Sequence, residues 1–184
     1  MKRILLTVLT IVASAHIFAQ RLAVNTEVTS DLLMTPNLGV EITVGDCSTM
    51  GLNVMGNYHP WGQTMKLLGV QPEYRYYLSG RPMHSIFVGI GAVAAFYDVT
   101  HKGKVYDGVS YGGGLTFGYV FRLARRLNVD CHAGFAVVGY NRKEYYVGDN
   151  YNTDYIISGV NKSNATGYNL MPTRIGVSLT YIFK

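Results

Sequence analysis

The sequence predicts an all-β fold: an eight-stranded antiparallel up-and-down transmembrane β-barrel behind an N-terminal signal peptide. Three observations carry that expectation. The chain of 184 residues is 48% hydrophobic and only 15% charged, yet no apolar run after residue 20 reaches the ~20 residues that a spanning helix needs. Apolar residues recur at every second position instead, as in RIGVSLTYIFK, where Ile175, Val177, Leu179, Tyr181 and Phe183 share one face and Arg174, Gly176, Ser178 and Thr180 the other. The connections, finally, alternate between short and long along the chain, the signature of outer-membrane barrels.

The first element is the leader, residues 1–19. MKRILLTVLTIVASAHIFAQ opens on Lys2 and Arg3, continues through an apolar core from Ile4 to about Ala15, and offers Ala19 as the last residue before cleavage. Residues 20–184 then form one domain, since no Pro/Ser-rich linker or charge run divides them. Without Lys2 and Arg3 there remain 14 basic against 11 acidic residues, and the formal charge falls from +5 to +3. That excludes the strongly basic balance of a nucleic-acid binder. Cys47 and Cys131 are expected to remain unpaired thiols, although an exported protein can form disulfides.

Period-two alternation marks strands at about 22–33, 38–45, 50–59, 69–78, 85–98, 109–123, 127–140 and 172–183. Counted from a periplasmic N-terminus, the periplasmic turns are GDCST (45–49), SGRPM (79–83) and ARR (124–126). The outer connections are MTPN (34–37), PWGQTMK (60–66), THKGKVYDG (100–108) and the stretch 141–169. On this reading every lysine of the mature chain lies in a loop or at the end. A soluble barrel wets its outer face and puts lysines on it, whereas a lipid-facing lysine at mid-membrane costs ~2–4 kcal/mol. The apolar face therefore looks outward. Pro60 ends one strand, and Pro72, lacking an N–H, marks a bulge or a local break in pairing.

Seven strand charges, Glu27, Glu41, Glu73, Arg75, Arg122, Asp130 and Arg174, fall on the opposite parity and form the expected lumen network. Closure of the barrel predicts that Glu27, Glu41 and Arg174 converge, and that Arg122 meets Asp130 beside the ARR turn. In the last long loop, Tyr145, Tyr146, Tyr151, Tyr155 and Ile156 are the candidate partner-binding residues, because tyrosine supplies contact area at small entropic cost.

The segments TPNLGVE (35–41), NYHPW (57–61), VQPEYRYYL (70–78) and PTRIGVSLTYIFK (172–184) resemble an uncharacterised family of Bacteroidota secreted proteins, the domain-of-unknown-function family numbered 3575. The resemblance runs over nearly the whole mature chain. It implies an eight-stranded outer-membrane-type barrel, sometimes encoded near fimbrial genes, with no established activity and no catalytic residues. Where that family often shows a second histidine and paired glycines, this chain reads IFVGIGAVAAF (86–96).

Little in the residues points to chemistry. His59, His84, His101 and His132 are scattered, so neither a metal nor a cofactor is expected. Gly112, Gly113 and Gly114 lack the Lys-Ser/Thr of a phosphate loop and read as close packing. The function expected is that of a small, monomeric, non-enzymatic outer-membrane barrel. Its partners would be outer-membrane lipid or lipopolysaccharide, the barrel-assembly machinery during insertion, and a surface or fimbrial protein, but no nucleic acid. The alternative is a lipid-modifying enzyme of the outer membrane, with a rim site drawn from His59, His101, Ser110 and Asp98 or Asp107.

Overall fold

A computed structural model of the chain describes residues 21–148, 156–157, 160–161 and 164–183. The leader expected at 1–19 lies outside them. In chain order come β1 (Leu22–Glu27), α1 (Val28–Leu32), β2 (Asn37–Gly45), β3 (Ser48–Tyr58), a short 3-10 turn (Pro60–Gly62), β4 (Met65–Tyr77), β5 (Ser85–His101), β6 (Lys104–Arg122), β7 (Leu127–Tyr146), the two-residue pieces β8 (Ile156–Ile157) and β9 (Val160–Asn161), and β10 (Asn164–Ile182). Eight of these strands make one antiparallel sheet in the order β1-β10-β7-β6-β5-β4-β3-β2. Because β1 pairs with both β2 and β10, the sheet closes into a barrel without a free first or last strand. No helix among the described residues is long and apolar enough to cross a membrane.

The three largest differences from the boundaries of the sequence reading each have a physical reason. The first strand stops at Glu27 rather than 33, and Val28 and Leu32, four residues apart, lie on one short helix. This helix takes over where β1 ends: Thr29 Oγ1 accepts the Val177 N–H at 2.9 Å, a donor that β1 no longer reaches. A side chain at Gly176 would collide with that hydroxyl, which accounts for the glycine. The expected loop 100–108 is a two-residue turn instead. Lys102 and Gly103 both have positive φ, 50° and 76°, and the ladder runs up to His101↔Lys104. The expected loop 141–169 is shortened from both sides, with Lys143 opposite Asn164.

Those longer strands also correct the placement of the lysines. Lys66, Lys104 and Lys143 stand in β4, β6 and β7, not in loops, but near the strand ends at the tall side of the barrel. Lys66, Asp98, Asp107 and Lys143 are directly opposite one another across four neighbouring strands, so they form one charged row at one height on the outer face. From that row to the short-turn end, no charged side chain on the described strands faces outward. Tyr111, Leu115, Phe117, Tyr119 and Phe121 of β6 are typical of the belt and 40–67% exposed.

Pro72 interrupts pairing with β5 without shifting register, since Val70↔Ala94 and Glu73↔Gly91 lie on the same diagonal. A true bulge falls instead between Pro172 and Arg174, and it switches which parity faces inward on β10. Gly112 and Gly114 allow β6 to press against β7: a Cβ there would clash with the carbonyl oxygens of Val137 and Phe135. Cys47 and Cys131 are both free thiols.

Candidate functional site

The interior is built by inward-facing positions of five strands. β4 supplies Glu73 and Arg75, β2 Glu41, β1 Glu27, β7 Asp130 and His132, and β10 Arg174, all of them buried. Arg75 is the hub. Its Nε donates to Glu73 Oε2 at 2.8 Å, one Nη donates to Asp130 Oδ2 at 2.7 Å, and the same nitrogen lies 3.6 Å from Glu41 Oε2. The guanidinium is stacked 4.4 Å from the centre of the buried Phe87 ring. Arg174 donates to the same Glu73 oxygen at 2.7 Å, and its Nε is 3.6 Å from Glu27.

His132 completes the circuit. Its Nε2 is 3.4 Å from Glu27 and its Nδ1 3.4 Å from Asp130. Arg75, Glu73, Arg174, Glu27, His132 and Asp130 thus form a closed ring of contacts, to which Glu41 is attached through Arg75. Glu41 also accepts hydrogen bonds from the Thr49 and Tyr77 hydroxyls. A buried charge is tolerable only with such partners, and the ring supplies them from strands far apart in sequence.

Of the seven charges expected in the lumen, Arg122 is the exception. It is exposed at the last position of β6, its Nε donates to Ala124 O at 3.2 Å, and Asp130 pairs with Arg75 instead. Glu41 likewise pairs with Arg75 and not with Arg174. The sequence reading missed His132, whose even parity on the same strand as Asp130 was the available signal. Above and below the ring the filling is neutral: Asn25, Asn53, Gln71 and Thr116 are buried, as are Tyr77 and Phe87 toward the short-turn end. Two interior cavities of about 10 Å³ each leave room for no more than one water apiece.

A second charged cluster stands at the tall end. Glu144 accepts from Lys104 Nζ at 2.6 Å and from Arg142 Nε at 2.8 Å, and Arg142 lies over the rings of Tyr106 and Tyr140. The hydrogen bond from Lys104, aided by that from Arg142, holds the Glu144 carboxyl below its usual range. The same contact raises the Lys104 ammonium. Of the candidate partner-binding residues, Tyr146 is exposed at the end of β7 beside the less exposed Tyr145. Ile156 pairs with Asn161, while Tyr151 and Tyr155 lie outside the described residues.

The residues considered for a rim enzyme are not assembled. Ser110 faces inward, whereas Asp98 and Asp107 face outward in the charged row; His101 is at a hairpin tip and His59 stacks edge-on to Tyr58. Among the described residues, no group of three or more His, Cys, Asp or Glu side chains is placed to hold a metal ion.

Fold and site together define a class: a small closed antiparallel barrel whose interior is filled by mutually paired charges. The chain belongs to a family of proteins of unknown function, DUF3575, whose family model matches residues 4–183. No curated protein and no solved structure matches it.

Proposed function

We propose that the protein is an integral outer-membrane barrel that conducts no solute and acts through contacts at its tall end. The observation that carries this reading is the outer belt. On β4 and the residue that follows it, the outward series Leu68, Val70, Pro72, Tyr74, Tyr76 and Leu78 is free of charge and begins next to the charged row at Lys66. Ten residue steps span ~33 Å along a strand, and a tilt of ~40° brings that to ~25 Å, the height of an outer-membrane barrel's apolar band. Aromatic side chains mark its lower border, where Tyr119 packs on Phe121 and Tyr181 on Phe183. The charged row at the upper border suits the polar headgroup level, and lipid or lipopolysaccharide is the natural neighbour of the belt.

The ring of paired charges supports the absence of a pore, because eight strands enclose a space about wide enough for side chains alone. The tall β5–β7 hairpins support the choice of the long side as the exposed one. A surface or fimbrial protein is the partner class we assign to that end, with the assembly machinery engaged only during insertion. The barrel is taken to be a monomer without catalytic activity.

Membrane fractionation tests the reading. The protein is expected to stay in the membrane pellet after alkaline carbonate and high salt and to leave it only with detergent. Protease added to whole cells is expected to cut within 147–163 and to spare the strands. Release by salt alone would sink the assignment, and steady large conductance in planar bilayers would sink the claim that there is no pore.

A further inference from the structure

At the short-turn end the charge pattern reverses. A basin of about 620 Å³ opens there, bordered by Arg21 ahead of β1, Arg81 in the β4–β5 turn, Arg122 at the end of β6, and Arg125 and Arg126 in the β6–β7 turn. All five are exposed. The basin rests on the buried Met83 and Asn128, locked together by the Asn128 Nδ2 bond to Met83 O at 2.9 Å. Among the described residues no carboxylate lines it and none pairs with any of the five arginines.

Three separate segments deliver these side chains, so the fold, and not a single basic run, gathers them. The choice of residue is selective as well. The described lysines Lys66, Lys102, Lys104 and Lys143 all stand at the opposite end, and besides His84 the ionisable side chains around the basin are all arginines. A guanidinium presents a planar fork of donors that matches the oxygens of a phosphate two at a time, which an ammonium does not. Five like charges around one concavity repel one another, and a single multiply charged anion relieves all of those repulsions together. The volume is within the range of sites for small organic ligands and well above what one phosphate fills.

We propose that this basin is an anion-binding site for a ligand carrying two or more phosphate groups. Two sources share that chemistry, a soluble polyphosphorylated molecule and the headgroups of anionic lipid, and the site geometry is the same for both. The inference rests on the basin alone and stands whether or not the belt lies in a membrane.

The test uses the full mature chain in zwitterionic detergent and in nanodiscs, with inorganic tripolyphosphate as the probe in calorimetric titration. Saturable binding is expected, weakening at least tenfold in Arg81→Gln/Arg126→Gln and again between about 50 and 500 mM salt. Both sites are exposed turn positions, and an unchanged melting temperature will show that the double variant folds. In nanodiscs, tripolyphosphate binding unaffected by adding cardiolipin, a lipid with two phosphates, assigns the soluble source. Competition by cardiolipin, lost in the same double variant, assigns the lipid headgroup. The proposal is overturned if neither probe binds saturably, or if the double variant binds as well as the parent.

Discussion

The interior and the short-turn mouth use the same side chain under opposite rules. Inside, Arg75 and Arg174 are about 5% exposed and each lies within 4 Å of two or more carboxylates. At the mouth, five arginines are exposed and none is paired with a carboxylate among the described residues. The difference teaches that pairing is imposed by burial: out of water a lone guanidinium is prohibitively costly, whereas in water a surplus of charge is tolerated and available to a ligand. Arg122 shows how sharp the border is. It follows Thr116, Gly118 and Val120 on the inward parity of β6, yet as the last residue of that strand it is exposed and belongs to the mouth.

The largest effect expected from this comparison is that of Arg75→Ala. It strands Glu41, Glu73 and Asp130 with one cation fewer among them, and breaking a buried pair costs about 3–5 kcal/mol. Arg122→Ala, by contrast, should stay within about 0.5 kcal/mol, as exposed substitutions do. Equilibrium unfolding in detergent measures both. If the two losses are alike, the separation of interior from mouth fails.

A double-mutant cycle sharpens the interior side. The register in the sequence suggested Glu41 as the partner of Arg174, but the structure gives Arg174 to Glu73 at 2.7 Å. Arg174→Ala should therefore couple to Glu73→Gln by about 1–2 kcal/mol, because the stranded negative charge is removed together with the arginine. Coupling to Glu41→Gln should stay below about 0.5 kcal/mol. The reverse order of the two coupling energies would mean that the inward register of β2 against β10 is wrong.

How much of this was legible in the sequence follows from what parity can and cannot encode. Alternation gave the eight strands, their antiparallel order and six of the interior charges, because a side chain's face depends only on its own strand. Partners depend on the shear between strands, which no local pattern records; hence Glu41 was assigned to Arg174, and His132 was read as incidental. Strand ends were missed wherever polar pairs extend a ladder beyond the apolar belt, as at His101↔Lys104 and Lys143↔Asn164. The arginine basin was legible only as turns of one end that carry arginine, SGRPM and ARR, since Arg21, Arg81 and Arg126 meet only after closure.

On the mouth side the sign of the effect should invert. Arg125→Gln/Arg126→Gln removes two of five neighbouring like charges, so stability without added anion should rise slightly, by up to about 0.5 kcal/mol at low ionic strength. The gain should vanish near 1 M salt, where the screening length is about 3 Å. A loss of stability at low salt would show that these arginines already have partners, and the basin would then cease to contrast with the interior.

A further small effect separates pairing from burial, which the first comparison varies together. At the tall end Glu144 is paired with Lys104 and Arg142, as closely as the interior carboxylates are with theirs, but Lys104 and Arg142 side chains are 32% and 31% exposed. If burial is what makes pairing matter, Glu144→Gln should cost only about 0.2–1 kcal/mol. The pH dependence has a fixed sign. The Glu144 carboxyl is held below its usual value of 4.5, first by the Lys104 hydrogen bond, so its contribution is complete above the unfolded value and is lost as pH falls through the lower folded one. Melting temperatures of the parent and of Glu144→Gln should therefore differ slightly at pH 7 and converge as pH falls below the usual value and through the lower folded one. A loss at pH 7 as large as that of Arg75→Ala would mean that pairing stabilises this fold without burial, and the contrast between its interior and its surface would have to be explained in another way.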